Sequence, residues 1–147
     1  MKAIMGFGFF LLFLAGIALV MLQGRQMVGQ NLSGGGAGIA GRAWRPSVVA
    51  ADNLPADSGM YVRFEVDGSI KGHGGCNSFF GNLEKTEAGI AVAQLGATRM
   101  ACPQKIMARE SAFMQALQNT TQFAVGNNRL QLLTADNQLL AELVAAD

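Results

Sequence analysis

Ten residues near the middle of the chain, Gly72-His73-Gly74-Gly75-Cys76-Asn77-Ser78-Phe79-Phe80-Gly81, constrain the fold more than any other stretch. They carry the sole histidine and one of only two cysteines. Glycine at this density points to backbone that bends sharply, bulges or meets a second backbone at close range. Asn77 suits such a bend, because its side chain bonds nearby backbone groups and it tolerates the left-handed region. A phosphate-cradling loop would need a following helix opened by lysine and a hydroxyl residue, and neither follows. The motif therefore reads as architectural.

The flanks set the domain plan. Residues 3–22 run for twenty residues without a charge, AIMGFGFFLLFLAGIALVML. As a helix they would span roughly 30 Å, the thickness of a bilayer's hydrocarbon core. Lys2 before the run and Arg25 after it favour an N-terminus in the cytoplasm and export of the remainder. The run exceeds the usual apolar region of a cleaved signal, so residues 1–22 read as a membrane anchor or uncleaved signal, and secretion after cleavage is the alternative. Residues 23–42, with Gly34-Gly35-Gly36-Ala37-Gly38, read as a flexible tether, and residues 43–147 as the folded domain. The expected location is a bacterial inner membrane crossed once, with the C-terminal domain in the periplasm. Eleven basic and ten acidic residues lie scattered along the chain. No basic stripe tracks a phosphate backbone, which argues against nucleic acid as a partner.

Within the domain the apolar period is two before Cys102 and about 3.6 after it. Trp44 and the residues to Val49 suggest a first strand with a buried anchor. Val62, Phe64 and Val66 alternate with Arg63, Glu65 and Asp67, predicting a half-buried strand over Met60–Asp67 that turns at Asp67-Gly68 into Ile70–Gly72. Phe79–Glu84 and Ile90–Leu95 form the next predicted pair. Pro103 suits the first position of a helix whose apolar side holds Ile106, Met107, Phe113, Met114 and Leu117. Thr121–Val125, Arg129–Thr134 and Gln138–Val144 follow as strands joined by tight turns. Short connections imply antiparallel pairing. The prediction is an α+β domain: a strongly bent sheet or partial barrel of about seven or eight antiparallel strands, with one helix packed on it.

Gly72, Gly75-Cys76-Asn77-Ser78-Phe79-Phe80-Gly81, then Thr98-Arg99-Met100-Ala101-Cys102, resemble the META domain family, the heat-shock protein HslJ-like domains. The likeness continues through Glu110, Phe113–Leu117 and the last strands, and covers about residues 43–144. The resemblance implies an envelope-located bacterial domain linked to stress and antibiotic tolerance, with no agreed catalytic activity. The structural motif it marks is Gly72, Gly75, Cys76, Asn77, Gly81, Thr98, Met100 and Cys102. Relatives are often lipoproteins, and this chain lacks the cysteine for that. His73 is no part of the family pattern.

If the leader exports them, Cys76 and Cys102 meet an oxidising compartment, where an even pair is most simply a disulfide. Closing a loop of about 27 residues would stabilise the fold by roughly 3.5 kcal/mol in the chain-entropy model. Two buried reduced thiols are the blander reading. A thiol nucleophile would need His73 as its base, with no third group to orient it. One histidine and two cysteines also leave a zinc site short of a fourth ligand. Met100, Met107 and Met114 recur every seven residues, and core filling explains the last two better than copper.

Two functional expectations follow. The first is a non-enzymatic, cofactor-free domain that supports the envelope by binding a protein or a cell-wall component. The second is a small-molecule or metal-binding module near Gly72–Phe80, using His73 with Phe79 or Phe80. Consecutive strand residues face opposite ways, so only one of the two phenylalanines would wall such a site.

Overall fold

The computed structural model describes residues 38–146. The anchor read at residues 1–22 and most of the tether lie outside the described residues. Among the described residues no helix is long and apolar enough to cross a membrane. The described residues form nine strands and one helix in order: β1 (Ala43–Val49), β2 (Asp52–Asn53), β3 (Tyr61–Phe64), β4 (Ser69–His73), β5 (Ser78–Thr86), β6 (Gly89–Ala97), α1 (Gln104–Gln118), β7 (Gln122–Gly126), β8 (Arg129–Leu133) and β9 (Leu139–Ala146). They form one antiparallel sheet in the order β6-β5-β4-β3-β1-β9-β8-β7, with β2 paired only to β1. The sheet is open in its pairing. Its two edges nevertheless meet at one corner, where the Ile90 amide at the start of β6 donates to Thr121 O just before β7 (3.0 Å).

Strand alternation builds the core. Trp44 on β1, Val62 and Phe64 on β3, Ile70 on β4 and Phe79 on β5 are buried, as are Leu130, Leu132, Ala141 and Leu143 on β8 and β9. From α1 they meet Phe113, Ala116 and Leu117. Phe79 stands edge-on to Phe113, ring centroids 6.0 Å apart, the geometry that places a positive ring edge over a negative face. The folded unit starts earlier than the Ala43 boundary read from sequence. Ile39 is buried, its carbonyl accepts the Trp44 indole N–H (3.0 Å), and Gly41 N–H donates to Phe64 O (2.8 Å). A buried indole needs a partner for its one donor, and the last residues of the expected tether supply it.

Three local readings are corrected. Val66 does not continue β3: it is 87% exposed, in a turn closed by Gly68 N–H to Glu65 O (3.1 Å) and Glu65 N–H to Ser69 O (2.8 Å). Gly68, at φ +85°, completes a three-residue hairpin loop, which takes the chain out of strand geometry one step sooner than the alternation suggests. Pro103 caps α1 from outside, its carbonyl accepting from Ile106 (2.9 Å) while its ψ of 139° stays extended. Met107 is 43% exposed. The buried side chains of α1 all lie in its second half, and Met107 sits in the first turns, ahead of the part that meets the core.

Candidate functional site

The glycine-rich motif forms the end of β4, the connection between β4 and β5, and the first half of β5. His73 pairs with Ser78 as the last rung of that hairpin, and Gly74 N–H donates to Asn77 O (2.8 Å) across the loop. Gly75 takes φ +101°, a conformation side-chain-bearing residues rarely adopt. A Cβ on Gly74 would fall inside the Glu110 carboxylate, so this glycine lets the helix side chain lie directly on the loop backbone. Gly72 lies within β4, opposite Val62 and Phe79. Gly81 sits at the irregularity where β5 slips register against β6, between Phe80 and Asn82.

Glu110 is the centre of what the loop holds. One carboxylate oxygen accepts from the amides of Asn77 (2.6 Å) and Cys76 (3.2 Å), and the other from Asn77 Nδ2 (2.7 Å). Burial opposes ionisation of this carboxyl, but the hydrogen bonds from the Asn77 side chain and the two amides outweigh it and hold the group below the usual glutamate range. Asn77 carries the network onward. Its Oδ1 accepts from Thr98 Oγ1 (2.9 Å) and from the Met100 amide (2.6 Å), which ties the segment after β6 to the β4–β5 loop. The side-chain bonds of Asn77 thus reach across 21 to 33 residues rather than to its own neighbours, and its φ is not left-handed.

The cysteines close the same junction. Cys76 and Cys102 form a disulfide, with Cα atoms 6.0 Å apart. Loop, post-β6 segment and helix are therefore joined three ways, by covalent bond, amide side chain and carboxylate. Every buried side-chain nitrogen or oxygen among the described residues has a partner. The disulfide leaves Cys76 without a thiol for His73 to activate, and His73 Nδ1 instead accepts from the Gly75 amide (3.0 Å). Among the described residues no group of three His, Cys, Asp or Glu side chains converges as a metal ligand set. Met100 contributes backbone to the clamp and leaves its side chain 56% exposed.

The candidate ligand residues are not brought together. Phe79 is in the core, Phe80 is 61% exposed on the opposite face, and His73 stands at the end of β4. Two grooves lie elsewhere. One of 670 Å³ covers the outer face of β1, β3 and β4, lined by Arg45, Tyr61, Arg63 and Lys71 among others. A smaller one of 390 Å³ lies between the β1–β2 hairpin and α1. Glu110 is the site residue that the motif spacing did not single out. The family resemblance marks Glu110, but nothing in the sequence shows that it will meet two amides 33 and 34 residues away.

The fold is shared with solved proteins. An NMR structure of a protein from Burkholderia xenovorans superposes with a TM-score of 0.61 at 23% identity, over 79% of this chain and 88% of that one. A second NMR structure gives 0.56 at 22%, over 72% and 90%. The crystal structure of a duf4847 family protein from Bacteroides vulgatus ATCC 8482 gives 0.50 at 14%, over 72% and 93%. At these identities the likeness is one of fold. No curated protein matches the chain. The META domain family matches residues 37–147, which takes in the clamp and every described strand. The chain belongs to the META domain family.

Proposed function

We propose that this chain is an exported, non-enzymatic domain of the bacterial envelope, held at the membrane by residues 3–22, that supports envelope stress or antibiotic tolerance by binding a protein or cell-wall partner. The observation that carries the reading is the Cys76–Cys102 disulfide. Disulfides persist in oxidising compartments and are rare in a reducing cytosol. The uncharged run at residues 3–22 supplies a means of export consistent with that chemistry. The clamp supports the non-enzymatic part of the reading, since its thiols are oxidised and its carboxylate is occupied by three donors.

The test is intact mass with thiol labelling, on protein taken from its native membrane fraction without reductant. Full-length mass, with both cysteines unreactive until the chain is unfolded and reduced, is the expected result. A shortened mass that lacks the apolar run would replace the inner-membrane location with secretion after cleavage. Two thiols that label readily in the folded protein would remove the export argument altogether.

A further inference from the structure

The outer face of β1, β3 and β4 carries three neighbouring cations, of which Arg45 donates from its guanidinium to the Ala56 carbonyl (3.4 Å). Val62, Phe64 and Ile70 point inward, so the alternating Tyr61, Arg63 and Lys71 point outward. The register sets Arg63 directly opposite Lys71. Like charges in directly opposed positions destabilise a sheet. Ala43 is Arg63's partner on the other side, which makes Arg45, two residues along β1, its diagonal neighbour. Diagonal neighbours stand about 7–8 Å apart, within reach of long side chains. Among the described residues the only ion pair is Arg129 with Glu142, so none of these three cations has a described carboxylate within 4.0 Å. Asp57 and Glu65 also line the groove, Glu65 as the diagonal neighbour of Lys71, so among the described lining residues the cations outnumber the carboxylates three to two.

Aromatic surface borders the same cations. Tyr61 is 43% exposed inside the groove, and Phe80, directly opposite Lys71 on β5, is 61% exposed. A shallow, open groove with neighbouring cations and an exposed aromatic ring suits a ligand that combines an anionic group with a ring. Nucleic acid would call for a longer basic track. We propose that this face binds an acidic glycan, its carboxylates held by Arg63, Lys71 and Arg45 and its sugar ring laid against Tyr61. The surface itself stands on the geometry alone. That the glycan is one of the cell envelope rests on the reading under Proposed function.

The experiment uses full-length protein in neutral detergent, titrated calorimetrically with tetragalacturonate, with neutral maltotetraose, with hexaglutamate and with phosphatidylglycerol vesicles. Tetragalacturonate is expected to bind at least about tenfold more tightly than maltotetraose, and to weaken as salt is raised. The R63E/K71E variant should lose about tenfold or more of that affinity, and Tyr61→Ala several-fold. The milder R63S/K71S variant repeats the measurement, and a cooperative urea transition with the parent's slope certifies that each variant is folded. Equal affinity for the acidic and neutral glycans, or no loss in either charge variant, would overturn the proposal. So would binding of hexaglutamate or vesicles in place of tetragalacturonate. The two readings fail separately: free thiols in membrane-derived protein leave glycan binding intact, and absent binding leaves a disulfide-bonded envelope domain.

Discussion

Removing the carboxylate of Glu110 would strand the amides of Cys76 and Asn77, both on residues less than 5% exposed. Hydrogen bonds to a charged acceptor contribute about 1.5–3 kcal/mol each, and an unpartnered buried donor costs a similar amount. Glu110→Ala should therefore lower unfolding stability by about 3 kcal/mol, measured by urea titration near neutral pH. The acid side separates charge from shape. The folded carboxyl ionises below its ordinary range, so its contribution is complete above the unfolded glutamate pKa of about 4.3 and is lost as pH falls through the lowered folded value. Glu110→Gln should be less stable than the parent at neutral pH and should lose less on acidification, so the two stability curves converge. Parallel curves would mean that the charge is immaterial. Asn77, by contrast, was visible in the motif as a polar residue among glycines, although not as the bridge between two distant segments.

Three joints hold α1 and the segment before it to the β4–β5 hairpin, and the disulfide is the one whose loss can be scaled from sequence separation. Cys76 and Cys102 lie 26 residues apart, which gives about 3.5 kcal/mol in the chain-entropy model. The C76S/C102S double variant should lose that much in denaturant unfolding, and reduction of the parent should match it. A second element tells the opposite story. The β1–β2 hairpin turns through Ala50 and Ala51 at φ +49° and +66°, positions where alanine is strained and asparagine-glycine is preferred. The A50N/A51G variant should raise stability by about 1 kcal/mol, read as a shift in urea midpoint without a change in slope. Legibility follows the same line. The β7–β8 turn at Asn127-Asn128 and the Asp67-Gly68 turn announce themselves through residues built for positive φ. The alanine turn and the two-residue β2 give no such signal, and they were missed.

At the scale of the whole molecule, the helix and all but one of the strands were readable because each depends on its own apolar period, while their order in the sheet was not. Strand β1 lies between β3 and β9, and Ser47 Oγ donates to the carbonyl of Glu142, 95 residues away (3.0 Å). No local pattern encodes that pairing. Tertiary packing selects it, by burying Trp44, Leu143 and Ala141 in one core. The pairing has a mechanical consequence. Ala43, where β1 begins, is matched with Ala146, where β9 ends, so tension applied through the two ends of the domain pulls on one end of a single antiparallel ladder. Such a ladder opens like a zipper, one pair of hydrogen bonds after another, instead of shearing all at once. Stretched from Gly38 and Ala146 in an optical trap, the domain should yield at a lower force than when held through Lys71 and Arg129. Equal forces would refute the zipper geometry. A module that parts so easily along its own axis is poorly suited to carrying load between its two ends.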